Sequence, residues 1–201
     1  LTSGNAIHSM GNSSNDGKTL AMMIGSSTAP PEIYIGKVGT NKITTQQVSF
    51  ENTDWCKQHA LATPKEKWIT SKDKTKIHCW IMRPPSEAKK RASKPAVLQI
   101  HGGPHCQYGW MFFHEFQCLA SAGYTVIYCN PRGSKGYGRD HCDAIRNDWG
   151  GADWTDMQAV TSMMQKDKSI NSKNMGVMGG SYGGYMTNWV VGHTNEFRGA
   201  I

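Results

Sequence analysis

A single serine stands between two pairs of glycines near the end of the sequence. The stretch from Asn174 to Met186 reads NMGVMGGSYGGYM, in which Gly179, Ser181 and Gly183 form the pattern G-x-S-x-G directly after an apolar run. A serine hydroxyl becomes a nucleophile when a base takes its proton, and flanking glycines let the serine occupy a strained turn between a strand and a helix. Ser181 is therefore a candidate nucleophile, and the alternative is a glycine-rich turn without chemistry.

A second glycine-rich stretch follows another apolar run. Residues 100–105 read IHGGPH, and a loop of this type after a strand supplies one backbone N–H donor of an oxyanion hole. The other donor is the residue after the nucleophile, here Tyr182, so both groups are expected to point at the same developing oxyanion. In the alternative reading His101 and His105 bind a metal, but that pair lacks a third ligand.

These motifs need strands and helices to position them. Short apolar runs (KWIT, KIHCWIMRP, AVLQIH, YTVIYC and NMGVMGG) predict strands from Lys65 onward, and helical patterns separate the later ones. Strands that alternate with helices predict an α/β fold with a doubly wound parallel sheet. The apolar stretch FRGAI at the end predicts the opening of a further strand.

Two of the predicted helices have an apolar face. The first ends at Gly123 and places five side chains on one face: Phe112, Phe113, Phe116, Leu119 and Ala120. The second begins near Asp153, which is expected to cap it with Asp156 three residues on. Four side chains of the second helix are expected to face inward: Trp154, Met157, Val160 and Met164.

The first 50 residues have a different character. TLAMMIGSS, EIYIGKV and ITTQQVSF are β-rich runs separated by stretches of Asn, Asp, Gly and Pro, so three strands are expected. Because three strands cannot bury both faces of a sheet, they are expected to belong to a larger β assembly. Residues 51–64 are interpreted as a linker.

The composition excludes several classes of protein. With 38% hydrophobic and 18% charged residues the chain is globular, and no apolar run is long enough to span a membrane. The six cysteines show no C-x-x-C spacing, which favours reduced, buried thiols in a cytoplasmic protein over a disulfide framework or a zinc site.

The net charge of +7 raises the question of nucleic acid. The densest basic cluster, EAKKRASK at 87–94, lies between two strand-like runs and has no interleaved aromatic residues. It is interpreted as a solvated hairpin tip, and no nucleic-acid partner is expected.

Four stretches in this order resemble the prolyl oligopeptidase family of serine peptidases, most closely its acylaminoacyl-peptidase-like branch: HGGP, NPRGSKGYG, DWGGADWTDM and GGSYGGYM. The resemblance covers about residues 60–201 and implies an α/β-hydrolase fold. Residues 1–50 resemble the closing strands of the family's β-propeller. The implied domains are the end of a propeller with its linker at 1–62 and the N-terminal part of an α/β-hydrolase catalytic domain at 63–201.

The resemblance also implies roles for particular residues. Ser181 would be the nucleophile, and the backbone N–H groups of Gly103 and Tyr182 would form the oxyanion hole. Arg132 would be a structural residue near the site that takes no part in bond-making. The substrates would be oligopeptides or N-acylated peptides, and neither a cofactor nor a metal is implied.

The acid and the histidine of a catalytic triad are not found after the serine. In this fold they follow the nucleophile in the order acid, then histidine, whereas the chain offers His193 before Glu196. A helix of about a dozen residues at 1.5 Å each would place His193 roughly 16 to 18 Å from Ser181. The sequence is therefore expected to be truncated at both ends, and the 201 residues alone are expected to be inactive.

Two other functions stay open from the sequence. A carboxylesterase would use the same elbow and oxyanion loop, because both suit esters as well as amides. A non-catalytic pseudo-enzyme would keep the elbow and lose the other triad residues. An acid at a strand end and a later histidine, beyond Ile201, would favour the enzyme.

Overall fold

The computed structural model describes residues 2–85 and 93–201 of the chain. Contacts between Cα atoms divide it into two compact units, one comprising Leu1–Thr63 with Gly109–Glu115 and the other Pro64–Tyr108 with Phe116–Ile201. Among the described residues, no helix has both the length and the apolar character needed to cross a bilayer.

The first unit is an antiparallel meander in which each strand pairs with the next in sequence. Its elements are β1 (Ile7–Ser13), β2 (Thr19–Ser26), β3 (Ala29–Val38), β4 (Ile43–Gln47) and the short helix α1 (Thr53–Gln58). The turn between β1 and β2 is tight because the carboxylate of Asp16 accepts hydrogen bonds from the Ser14 hydroxyl and the Lys18 N–H. A four-stranded antiparallel meander is the form of one propeller blade.

One expectation for this unit was wrong. The sequence predicted three strands, but β1 is a fourth, and its Gly11, Asn12 and Ser13 had the composition of a loop. Pairing with β2 from Ile7 to Ser13 outweighs that local preference. The predicted linker 51–64 contains α1, whose Trp55 makes an edge contact with Phe112 at 5.8 Å between ring centroids.

The second unit is a six-stranded sheet in the order β10-β9-β7-β8-β6-β5. Its strands are β5 (Pro64–Thr70), β6 (Lys76–Met82), β7 (Lys94–Ile100), β8 (Thr125–Asn130), β9 (Ile170–Gly179) and β10 (Gly199–Ala200). Its helices are α2 (His114–Ser121), which belongs to this unit from Phe116 onward, α3 (Arg139–Asp143), α4 (Ala152–Lys166) and α5 (Tyr182–His193). The strands β8, β7, β9 and β10 run parallel, and β5 and β6 extend the sheet antiparallel.

Helices cover both faces of this sheet. On one face, Phe116 of α2 packs on Tyr128 of β8 with 5.1 Å between ring centroids. On the other face, α4 and α5 pack against β9 around a buried core that contains Leu98 and Ile127. The doubly wound α/β arrangement predicted from the sequence is therefore confirmed, and so are the inward positions of Met157, Val160 and Met164.

The ends of two helices differ from the prediction. The helix α2 starts at His114, so Phe112 and Phe113 precede it instead of belonging to its apolar face. The helix α4 is preceded by Gly151, and Asp153 lies inside its first turn. Asp153 is not the N-cap because its carboxylate is fully buried and bonded elsewhere.

The two strands that flank the basic cluster, interpreted from the sequence as a hairpin tip, do not pair with each other. The strands β6 and β7 on either side of it are not neighbours, because β8 lies between β7 and β6. Residues 87–92 of the cluster lie outside the described residues. At the edge of the same sheet, β5 begins with Pro64 and exposes Lys65 and Lys67.

None of the six cysteines, all of which lie among the described residues, forms a disulfide bond. Cys79 and Cys129 are buried opposite each other on β6 and β8, whereas Cys106 and Cys118 are exposed. The expectation of buried cysteines therefore holds for the sheet centre and fails for the loop and helix positions. The hydrogen bond with the Cys79 thiol, together with burial, raises the pKa of Cys129, which keeps it a neutral thiol.

Candidate active site

Ser181 occupies the tight turn between β9 and α5. Its backbone has φ 59° and ψ −122°, a conformation that a residue with a side chain rarely adopts. The strand ends at Gly179 and the helix begins at Tyr182, so the turn consists of Gly180 and Ser181, and both are exposed. Such strain persists only where the surrounding structure holds it, and it is concentrated at functional sites.

The backbone at the end of β7 leaves no room for a side chain at two of the four glycines around Ser181. A Cβ atom on Gly183 would lie 2.1 Å from the carbonyl oxygen of Ile100, and one on Gly179 would lie 2.5 Å from the same oxygen. A Cβ on Gly180 would meet nothing within 4 Å. The two crowded positions are the glycines of G-x-S-x-G, as the steric argument from the sequence predicts.

The loop that follows β7 lies beside the serine. Ile100 pairs with Gly179, so the ends of β7 and β9 are in register at this point. A Cβ on Gly102 would be 3.4 Å from the Cβ and 3.9 Å from the Oγ of Ser181. Gly103 has φ +124° and no room for a side chain, because a Cβ would lie 2.7 Å from the N–H of His105. The two motifs found in the sequence therefore meet in space, while the roles of Gly103 and Tyr182 as oxyanion donors stay predictions.

The two histidines of this loop are engaged in hydrogen bonds. His101 is buried, with its Nδ1 2.7 Å from the Gly102 carbonyl and its Nε2 2.8 Å from the Ser134 hydroxyl. Burial lowers the pKa of His101, which favours the neutral ring. The Nδ1 of His105 lies 2.9 Å from the Gly133 carbonyl. Among the described residues, no group of three His, Cys, Asp or Glu side chains is placed to hold a metal ion.

Arg132 anchors the loop that contacts these histidines. Its backbone N–H donates to Asp156 at 2.8 Å, and its guanidinium donates to both oxygens of the same carboxylate. It also donates to Asp73 and to the Ala152 carbonyl. Burial raises the pKa of Asp156, against the opposing effect of the Arg132 hydrogen bonds. The structure thus places Arg132 in a support network, the kind of role that the sequence predicted for it.

A second buried carboxylate holds the side chain of Tyr182. The phenol of Tyr182 donates to Oδ2 of Asp153 at 2.5 Å, and Asp153 is fully buried. The other oxygen, Oδ1, accepts the backbone N–H groups of Gly150 and Trp154, each at 2.9 Å. Burial, together with the Asp153 bond, raises the pKa of the Tyr182 phenol well above its ordinary value, so this group stays a donor.

Aromatic rings close around this phenol. Trp149 meets the Tyr182 ring edge-on with 5.0 Å between centroids and lies 5.3 Å from the Tyr185 ring. Gly150 has φ +89°, and a Cβ there would collide with the indole of Trp189 at 2.5 Å. The segment 148–153 therefore packs directly against the start of α5.

Sequence reasoning missed the buried hydrogen bonds of Asp153 and the contact of Asp73 with Arg132. Asp153 and Asp156 were considered only as capping residues, although Asp153 lies four positions before the inward-facing Met157. A carboxylate on the buried face of a helix requires a partner, and that was the available signal. Asp73 offered no local signal, because its partner Arg132 is 59 residues away.

His193 and Glu196 do not join the site. His193 is the last residue of α5, whose 12 residues span about 18 Å at 1.5 Å each. Its Nδ1 lies 2.7 Å from the Trp189 carbonyl, and Glu196 accepts a hydrogen bond from Gln165. The residues described here therefore offer a strained serine and two adjoining backbone loops, and a general base for this serine would have to come from elsewhere.

Comparison with known protein sequences identifies a family and relatives of this chain. Residues 110–201 match the prolyl oligopeptidase family. The uncharacterized peptidase YuxL of Bacillus subtilis is 43% identical over 173 residues, which are 86% of this chain and 26% of that protein. Dipeptidyl-peptidase 5 of Schizosaccharomyces pombe is 36% identical over 142 residues, which are 68% of this chain and 21% of that protein.

Solved structures show the same fold. The acylaminoacyl peptidase of Pyrococcus horikoshii matches with a TM-score of 0.86 and 25% identity, over 100% of this chain and 31% of that chain. The second unit therefore has the α/β-hydrolase fold. The chain spans less than a third of the length of each of these three proteins.

Proposed function

Because the chain belongs to the prolyl oligopeptidase family of peptidases, we propose that Ser181 is the nucleophile of a serine peptidase. The observation that carries the proposal is the backbone of Ser181, held at φ 59° between β9 and α5. The closeness of Gly102 to the serine supports it, because an oxyanion loop must lie beside the nucleophile.

In the proposed reaction, Ser181 attacks the carbonyl carbon of a short peptide and forms an acyl-enzyme. The hydroxyl proton passes to a histidine contributed by residues outside the 201, and this histidine then gives it to the leaving amine. The N–H groups of Gly103 and Tyr182 donate to the oxyanion of the tetrahedral intermediate. Water then attacks the acyl-enzyme carbonyl and releases the acid product, which restores the serine.

Oligopeptides and N-acylated peptides are the proposed substrates. Support comes from the names of two relatives, an acylaminoacyl peptidase and a dipeptidyl-peptidase. A cytoplasmic location is also proposed, and it is supported by the buried free thiols Cys79 and Cys129.

The test uses the full-length product of the gene that encodes this chain. A fluorophosphonate reacts with an activated serine, so we expect one adduct, located at Ser181 by peptide mass. S181A should show no adduct and should lose on the order of 10⁴-fold or more in peptide hydrolysis. The matched control S172A changes an exposed serine of β9 and should label and hydrolyse like the parent protein.

Each outcome has a defined meaning. Labelling at another serine, or S181A activity equal to that of the parent protein, would overturn the proposal. Hydrolysis of p-nitrophenyl esters without hydrolysis of any acyl-peptide amide would assign the protein to the carboxylesterases. A folded parent protein without any adduct would favour the pseudo-enzyme.

A further inference from the structure

We propose that Asp153 is a positioning residue for the oxyanion hole, which it aligns by holding the phenol of Tyr182. This inference rests on the proposed function, because it assumes that the Tyr182 N–H donates to an oxyanion at Ser181. Asp153 does not touch the serine. It acts through the side chain of the residue whose backbone supplies the donor.

The first step of the argument is that Asp153 is itself fixed. It lies in the first turn of α4 and is fully buried. One carboxylate oxygen accepts two backbone N–H groups, from Gly150 and Trp154, which leaves the other for the Tyr182 phenol. One turn further along α4, Asp156 is bound to Arg132, so the same stretch of helix is held on two sides.

The second step is that Tyr182 needs an anchor. Its N–H belongs to the peptide that follows Ser181, the strained residue of the turn, and a strained backbone relaxes unless its neighbours prevent it. On the helix side, the carbonyl of Ser181 accepts the N–H of Tyr185 at 3.0 Å. The side chain of Tyr182 is held as well, because its hydroxyl bonds Asp153 and its ring contacts Trp149. Tyr182 is only 3% exposed, so its side chain is shielded from bulk solvent.

The third step is the sensitivity of the chemistry to position. An oxyanion donor must lie within a few tenths of an ångström of its place, and complete loss of one costs roughly 10²- to 10³-fold in rate. A displacement of about 1 Å caused by a distant substitution can cost about 10²-fold. Loss of the phenol anchor, with the N–H still present, should therefore cost about 10-fold.

The experiment compares three variants of the full-length protein: Y182F, D153A and D153N. Y182F removes the hydroxyl and keeps the ring. D153A removes the acceptor, and D153N keeps a hydrogen bond in which the amide donates to the phenol oxygen. The probes are p-nitrophenyl acetate, for kcat/KM, and phenylboronic acid, whose tetrahedral adduct with the serine places an oxygen in the oxyanion hole.

We expect kcat/KM to fall about 10-fold in Y182F and D153A, and the inhibition constant of phenylboronic acid to rise by the same factor. D153N should lose less than about 3-fold, because an uncharged hydrogen bond is roughly half as strong as a charge-assisted one. The control T161V removes another buried hydrogen bond of α4, between the Thr161 hydroxyl and the Met157 carbonyl. It should lower Tm and leave both constants unchanged.

Three results would overturn the inference. The first is unchanged kcat/KM and boronate inhibition in Y182F, the variant that keeps the ring and so should fold. The second is a loss of Tm alone, as in T161V, and the third is D153N as impaired as D153A. If D153A does not fold, Y182F and D153N decide between these outcomes. Failure of the proposed function would look different, because S181A would then keep the parent activity, and the inference would fall with it.

Discussion

The turn around Ser181 and the network around Arg132 lie in the same unit and are held by opposite means. At the turn, backbone meets backbone, and a single methyl group on Gly183 would lie 2.1 Å from the Ile100 carbonyl. In the network, a guanidinium satisfies the buried Asp156, and Asp73 as well. The turn therefore requires a residue without a side chain at Gly183, whereas the network requires the charged side chain of Arg132.

This difference determines how each region can fail. The turn is disrupted when a side-chain atom is added at a crowded glycine, and this disruption involves no charge. The network fails when a partner is removed, because the remaining carboxylate is then buried without compensation. Acid should affect ion pairs of this second kind and leave the packing at the turn unchanged.

The largest effect is expected from G183A. The added methyl group meets a backbone carbonyl that cannot rotate away, so the cost should exceed about 3 kcal/mol, the upper end for overpacking. We expect a lower Tm and no fluorophosphonate labelling at Ser181 in the full-length protein. The control G180A adds the same methyl group one residue before the serine, where nothing lies within 4 Å. Equal Tm for the two variants would contradict the steric account of the turn.

The next effect is expected from R132M. Breaking a buried pair costs about 3 to 5 kcal/mol, and the lower figure applies because the Arg132 side chain is 12% exposed while that of Asp156 is fully buried. Thermal unfolding should show the loss. In the double variant R132M/D156M no unpaired buried charge remains, because the other partner of Arg132, Asp73, has a side chain that is 46% exposed, so part of the Tm should return. If the double variant were less stable than R132M by the full cost of D156M alone, the two residues would not be coupled.

The smallest effect concerns the ion pair of Asp167 and Arg83, at 2.8 Å. Burial alone would raise the pKa of Asp167, but hydrogen bonds from Arg83 and Ser169 outweigh it and lower the pKa to about 2. Because this is below the ordinary value of 3.8, the pair stabilises the fold above pH 4 and loses its effect as the pH falls from about 4 to 2.

D167N should therefore lower Tm at pH 6 by an amount that corresponds to less than about 1 kcal/mol, since the pair is partly exposed. The difference from the parent protein should shrink as the pH falls below 4. D54N, which changes a carboxylate with 85% side-chain exposure, should leave Tm unchanged throughout. A difference for D167N that persisted at pH 3 without shrinking would disprove the electrostatic explanation.

The elements nearest the site could be predicted because their signals are local. The apolar runs before His101 and Ser181 became β7 and β9, and the glycines around the serine carried a steric requirement that short-range sequence expresses. The strand β1 could not be predicted, since pairing with β2, and not its own composition, makes it a strand.

The supports of the site could not be predicted for a related reason. Asp153 and Tyr182 are 29 residues apart, and Arg132 and Asp156 are 24 apart. Pairs at such separations leave no periodic pattern, so the sequence indicated only that carboxylates lie near the start of a helix. The predicted start of α4 was accurate enough to single out Asp153 and Asp156, but it did not indicate which residues they bind.

The edge strand β5 affects whether copies of the protein associate through their sheet edges. Unpaired N–H and C=O groups at a sheet edge invite another strand to add to it. Here the edge begins with a proline, which has no N–H to offer, and continues with the exposed Lys65 and Lys67. Two such edges brought together in a crowded solution would place like charges side by side. The chain thus carries its own deterrent to edge-to-edge aggregation, at the end of the sheet opposite to the strand β10 that follows the serine turn.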